Sequence, residues 1–303
     1  MFILCLHNIY TTFYTIFTQR LRNVYTIFYT SIIYNFSMRK YFSVFTLTLK
    51  EYFAYRLNFL IWRLRVFIGF LVPFFLWLTV TKQVKNFAGY EGKTIIAYFF
   101  FTHLLSYFIL GTRTVDIAGQ IQNGQILNFL LKPISFFHYY FFRDLADKIL
   151  NFLLSFFEIF LFFKIFSLPF PLINCQFLPF FFLFLTFGLF LSFYLNLLIS
   201  FFGFWSTEVW APRFIFFILI SILSGSFFPL DLLPQKLFSL ILFTPFPYLF
   251  FLPVKMISSP QTLINKVNFN FLFFMGSFWL IVFFFIARFF WQKGLKSFSF
   301  WGR

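Results

Sequence analysis

The chain has 303 residues, of which 61% are hydrophobic and 11% charged, against about a quarter charged in an ordinary soluble domain. A soluble fold of this length needs far more polar surface around its core, so the solvent for the excess apolar area is lipid. The formal net charge of +16 would raise nucleic acid in a soluble protein. Here the basic residues flank apolar runs, a pattern of membrane orientation that leaves no nucleic-acid partner to expect.

Residues 1–37 contain Tyr14-Thr15-Ile16-Phe17 and again Tyr25-Thr26-Ile27-Phe28, with no clean apolar run of spanning length. They also lack the basic, apolar, small-residue order of a signal peptide. Met38-Arg39-Lys40 reads as a start, so the segment is expected to be a mis-assigned extension; the other reading is an extra interfacial helix. Residues 38–303 read as one transmembrane domain. Its first element, 40–58, is amphipathic: Phe42, Phe45, Leu49, Tyr52 and Phe53 share a face, with Lys40, Ser43, Lys50 and Glu51 elsewhere. Such a basic helix before a first span is expected in the membrane interface.

Six spans follow, at about 60–81, 94–110, 145–166, 177–203, 212–227 and 269–290. Arg63 and Arg65 are expected to snorkel at the near end of the first. A polar connection, 82–93, separates the first two, and a long polar interruption, 111–142, precedes the third. Pro169-Phe170-Pro171 links the third and fourth, and Pro212 suits the start of the fifth. Between spans five and six the apolar stretch 228–268 is broken by Pro229, Pro234, Pro245, Pro247, Pro253 and Pro260. Short re-entrant or interfacial helices are expected there. With the N-terminus inside, the outer side receives only Lys82, Lys85, Lys93, Lys164, Lys236, Lys255 and Lys266 of the 24 Lys and Arg residues. That bias places both ends in the cytoplasm, and the chain is expected in the cell's inner membrane.

The third span carries Asp147, Asn151, Ser155 and Glu158 on a single stripe. Ionisable groups at that depth face a bundle interior or water. Arg143, one turn back, is the expected partner of Asp147. For Asn151, Ser155 and Glu158 two readings stand, a substrate path or dimer seam and a locally paired charge. The fourth span places Gly188, Ser192, Asn196, Ser200 and Gly203 along one side, spacing that permits close helix packing; Asn196 is the candidate path residue among them.

Catalytic signals are missing. Gly92-Lys93-Thr94 ends like a phosphate-binding loop, but Phe87 stands where the first glycine belongs. His7, His103 and His138 are isolated, and Cys5 and Cys175 form neither a metal spacing nor a disulfide framework. No bound cofactor is expected.

The segment 117–135, IAGQIQNGQILNFLLKPIS, closely resembles the cytoplasmic loop of type-2 ABC transporter permeases. The pattern is Gly124, then Ile126 or Leu127, then Leu130 or Leu131, closed by Lys132-Pro133. Phe204-Trp205-Ser206-Thr207-Glu208 resembles the family's aromatic turn between spans four and five. Phe228-Pro229-Leu230-Asp231-Leu232-Leu233-Pro234 and Thr244-Pro245-Phe246-Pro247-Tyr248 resemble its outer segment. The resemblance runs from about residue 38 to the C-terminus. It implies six spans, a second permease chain (the same or a related one), and a separate ATPase that uses ATP and Mg on the cytoplasmic side.

In that light the loop is the expected coupling element. Asp116, Gln120, Asn123 and Asn128 offer polar contacts, Ile121, Ile126, Phe129 and Leu130 can pack on the span bases, and Leu127 is a further expected residue of the coupling loop. Gly124 permits a tight break, and Lys132-Pro133 ends the helix. Pro229, Asp231 and Pro234 are the expected outer gate. Two rivals are a lipid-modifying membrane enzyme and a secondary transporter. The first needs a polar acid-base or metal cluster near an interface, and the second needs two matching halves with broken helices. Only scattered carboxylates and one interrupted region are legible.

Overall fold

An apolar run in lipid must satisfy its backbone internally, which leaves the helix as its element. The computed structural model describes residues 38–83, 86–87, 90–165, 175–264 and 267–298. The extension 1–37, the Pro169-Phe170-Pro171 link, and Lys85, Lys266 and Arg303 lie outside the described residues.

The helices are α1 (Met38–Ala54), α2 (Arg56–Gln83), α3 (Gly92–Leu110), α4 (Val115–Gln122), α5 (Ile126–Leu130), α6 (Phe136–Ile165), α7 (Leu178–Phe201), α8 (Trp210–Leu223), α9 (Gln235–Leu242), α10 (Phe251–Ser258), α11 (Pro260–Ile264) and α12 (Phe269–Ser297). A minimal hairpin, β1 (Asn86–Phe87) and β2 (Tyr90–Glu91), joins α2 to α3. Among the described residues, four segments are long and apolar enough to cross a membrane: Phe59–Thr81, Gly92–Gln122, Cys175–Phe204 and Phe269–Ser297. The chain is an all-α polytopic membrane protein.

The two other expected spans differ from these four. α6 has 30 residues, about 45 Å of helix, and begins nine residues before the expected 145. It carries Asp147, Lys148, Glu158 and Lys164 along its length. α8 has only 14 residues, about 21 Å against about 30 Å of hydrocarbon. Gly225, at φ 83°, stands in the turn that follows, where side chains other than glycine are disfavoured.

α1 passes into α2 through Tyr55 with helical hydrogen bonds on both sides, Tyr55 N to Glu51 O and Phe59 N to Tyr55 O, each 3.1 Å. The pair runs alongside α6 in the same direction. Tyr41 stacks on Phe142 at 5.6 Å, Tyr52 meets Asp147, Arg63 meets Glu158, and Phe70 packs edge-on to Phe162 at 5.5 Å. α12 packs along α7.

The main core lies among α3, α6, α7 and α10. Tyr98, Phe184, Leu191 and residues 249–252 are fully buried there. The proline-broken stretch forms short helices as expected, yet α10 is no surface helix, since every residue from Phe251 to Ile257 is buried. Gly188 allows this. A Cβ there would lie 2.8 Å from the Tyr248 carbonyl, so the small residue on α7 admits the outer segment. A second core, Ile117, Ile121, Ile126, Phe136, Phe201 and Trp291 among others, lies at the opposite end. The hairpin and α9–α11 occupy one end, while α4, α5, the turn 202–209 and the close of α12 occupy the other.

Candidate functional site

The 111–135 segment folds as two short helices with a sharp break. Gly124 sits in that break at φ 71°, a left-handed backbone that costs other residues about 1–2 kcal/mol. Its N–H donates to the Ile121 carbonyl at 3.1 Å, closing the end of α4. Ile117, Ile121 and Ile126 are buried, at 0%, 2% and 0% exposure, so one face of the double helix rests on the bases of α6, α7 and α12.

Polar contacts lock this docking. Gln122 Nε2 donates to the carbonyls of Ser206 at 3.2 Å and Thr207 at 2.9 Å. The Ser200 hydroxyl donates to the Thr114 carbonyl at 2.7 Å. Asp116 lies 3.9 Å from Arg143, which also holds Glu51 of α1 at 3.0 Å. Gly203 brings the turn against α4, where a Cβ would meet the Ala118 backbone at 3.1 Å.

The outward face carries Asn123, Gln125, Asn128, Leu131, Lys132 and Pro133, all exposed, with Leu131 85% exposed. Leu127 is half-buried. Two expectations are corrected. Leu130 turns outward rather than packing on the spans, because a five-residue helix can bury only one side. Gln120 turns inward and accepts from the Tyr140 hydroxyl; burial pushes that phenol up, so it remains a donor. A cleft of about 270 Å³ opens between the loop and α6, lined by Gln120, Gln125, Asn128, Phe129, Lys132, Tyr139 and Tyr140.

α6 then presents a polar ladder to α1 and α2. Asp147 does not pair with Arg143 as expected. It accepts from the Tyr52 hydroxyl and lies 3.7 Å from Arg113, while Arg143 is drawn to Glu51 and Asp116. Lys148 is fully buried and donates to the Ile109 carbonyl at 3.0 Å and the Gly111 carbonyl at 2.6 Å. It thereby places a positive charge on the open carbonyls that end α3, with Asp144 at 3.3 Å.

One level deeper, Glu158 finds the partner that its own helix lacks. Arg63 grips it with Nε at 2.9 Å and Nη2 at 2.6 Å, a bidentate fork. The same guanidinium donates to Ser155 Oγ at 3.1 Å and Asn151 Oδ1 at 3.3 Å. Arg63 is 6% exposed, so it does not snorkel; the three candidate path residues of α6 converge on it inside the chain. Asn196 faces a different cation, with Arg213 Nη1 at 3.4 Å from its carbonyl oxygen and Arg213 Nη2 at 2.7 Å from Ser200.

At the other end Pro229 and Pro234 bracket a 3-10 turn, Leu230–Leu232. Within it Asp231 pairs with Lys255 of α10 at 2.8 Å, both side chains all but inaccessible. The Tyr90 hydroxyl donates to Asp231 at 2.5 Å, and Lys255 donates to Tyr90, to Thr262 at 2.9 Å and to Ser259 at 3.2 Å. Burial and then the Asp231 charge push the Tyr90 phenol far above its usual range. This joint ties the α2–α3 hairpin to the proline-broken segment.

Arg63, Arg213, Tyr90 and Lys255 were not singled out as site residues by sequence reasoning. The available signal was charge sign at depth, since buried charges must pair, but 95 residues separate Arg63 from Glu158 and the register between spans is not written in either. The family model described as ABC-2 family transporter protein matches residues 67–302. No curated protein matches the chain.

Proposed function

We propose, from the premise that this chain belongs to the ABC-2 transporter family, that it is a membrane subunit of an ABC transporter working in ATP-driven export. The chain's residues 113–132 couple to a separate cytoplasmic ATPase. The observation that carries this reading is the two-faced loop: buried isoleucines and carbonyl locks on one side, and Asn123, Asn128, Leu131 and Lys132 free to face a soluble partner on the other.

A loop fixed at both ends to α6 and α7 moves those helices when it is pressed. Arg143 passes displacement to α1 through Glu51, and Lys148 passes it to the end of α3. Asn151, Ser155 and Glu158 brace α2 against α6 through Arg63, and Asn196 with Arg213 braces α7 against α8. Pro229, Asp231 and Pro234 form the outer gate, latched through Tyr90 and Lys255. ATP and Mg belong to the ATPase partner. Two permease chains, like or unlike, enclose the path, and residues 38–303 act as one domain in the inner membrane. The excess of Lys and Arg on the loop end supports a cytoplasmic placement for it and for both termini.

A photo-crosslinking residue at Asn128 tests the coupling. It should capture an ATP-binding protein in membranes, and the same residue at Lys236, at the opposite end, should not. Capture at Lys236 alone would reverse the orientation, and capture at neither would remove the coupling role.

A further inference from the structure

We infer that the cleft between the loop and α6 is a socket for an acidic side chain of the ATPase partner; this rests on the coupling reading given under Proposed function. The charge of the lining selects the class of occupant. Lys132 is the one charged group there, and it forms no ion pair among the described residues. Positions 111–143 hold a single acidic residue, Asp116, which lies 3.9 Å from Arg143 and does not line the cleft. An exposed cation with no carboxylate beside it favours an anionic occupant over a basic or neutral one.

The neutral groups around Lys132 suit a carboxylate. Gln120 accepts from the Tyr140 hydroxyl through Oε1, so its amide N–H donors remain. The side-chain amides of Gln125 and Asn128 have no partner among the described residues. With the Lys132 ammonium they offer several donors to one pair of oxygens. Phe129 meets Tyr139 at 5.0 Å and 60°, and Tyr139 meets Tyr140 at 5.2 Å and 82°. That edge-on corner is a stiff wall on which the methylene stem of an aspartate or glutamate can rest. Size and place then select the source. A cavity of about 270 Å³ falls below the roughly 300–1,000 Å³ that encloses a drug-sized ligand, so it suits a side chain rather than a nucleotide. Asn128 and Lys132 line the cleft and also belong to the outward face of the loop, so a protein seated on that face covers the opening.

The test is zero-length carbodiimide crosslinking of the full chain in native membranes, followed by purification through a tag and peptide mass spectrometry. Carbodiimide joins an amine to a carboxyl only where the two touch, so Lys132 should be found in amide linkage to an Asp or Glu of an ATP-binding protein. Lys132→Arg keeps the cation without a primary amine, and the ATPase recovered with it should carry no such link. Gln125→Glu puts a like charge in the cleft and should cut the recovered ATPase at least tenfold at equal yield of the chain. Lys296→Gln, exposed at the close of α12, should behave as the parent. An ATPase recovered with the parent yet never linked through Lys132, or retained in full by Gln125→Glu, would overturn this inference and leave the coupling reading standing. No ATPase with a folded parent would overturn both. Thermal stabilisation of the purified chain by inorganic phosphate, absent in chloride of equal ionic strength and lost in Lys132→Gln, would make the cleft a free-anion site and overturn the assignment to a side chain.

Discussion

Arg63 carries a guanidinium whose donors meet Glu158, Ser155 and Asn151. Removing Arg63 leaves the Glu158 carboxylate, its side chain 25% exposed, without its partner; a fully buried charge left so costs about 3–5 kcal/mol and this one costs less, whereas replacing both by apolar groups is often neutral. Arg63→Met should therefore lower the thermal unfolding midpoint in micelles markedly, and Arg63→Met/Glu158→Leu should recover most of the loss. A double variant as unstable as the single one would show that no pair is being broken. Tyr90 belongs to the same scale. Its hydroxyl bridges Asp231 and Lys255, and Tyr90→Phe removes one bond from each while leaving their 2.8 Å contact. A cost of about 1–3 kcal/mol follows, seen as faster hydrogen exchange in the hairpin and in α10. Unchanged exchange in both would detach the hydroxyl from the latch.

The loop gives an element-scale contrast between two glycines. Gly124→Ala must hold a side chain at φ 71°, so about 1–2 kcal/mol is lost. Gly119 is helical with open space where its Cβ would stand, and Gly119→Ala should be neutral or stabilising by up to about 1 kcal/mol. Hydrogen exchange across residues 115–130 separates the two; equal effects would mean that the break is not held by Gly124. This break was legible because a glycine interrupts an apolar period, and the outer stretch was legible as short helices because six prolines forbid a long one. The inward plunge of α10 was not. Its run Phe251–Ile257 is apolar but for Lys255, which reads as an outer-side charge until Asp231 is seen beside it, and Gly188 on α7, which admits the Tyr248 backbone, lets the segment turn inward. The length of α8 was hidden for a related reason, since apolar residues continue past the turn at Gly225.

On the scale of the whole molecule, the hairpin joint with Asp231 and Lys255 gathers at one end and the loop, the 202–209 turn and the Trp291 end of α12 at the other. Trp291 stacks on Phe136 at 3.8 Å, which closes the loop end. The four long apolar segments could be read from the chain because lipid enforces long apolar runs. Pairings such as Arg63 with Glu158 could not, since they depend on which span lies beside which. Cysteines introduced at Lys132 and Lys236 should be labelled by an impermeant reagent from opposite sides, the second from outside intact cells; labelling of both from outside would break the two-ended arrangement. The central claim, that this subunit is driven through its loop, is tested most directly by affinity purification of the tagged chain beside Leu131→Glu. An ATPase should come down with the parent and at least tenfold less of it with the variant, at equal yield and thermal stability. An ATPase retained in full by Leu131→Glu, or none with a folded parent, would contradict it.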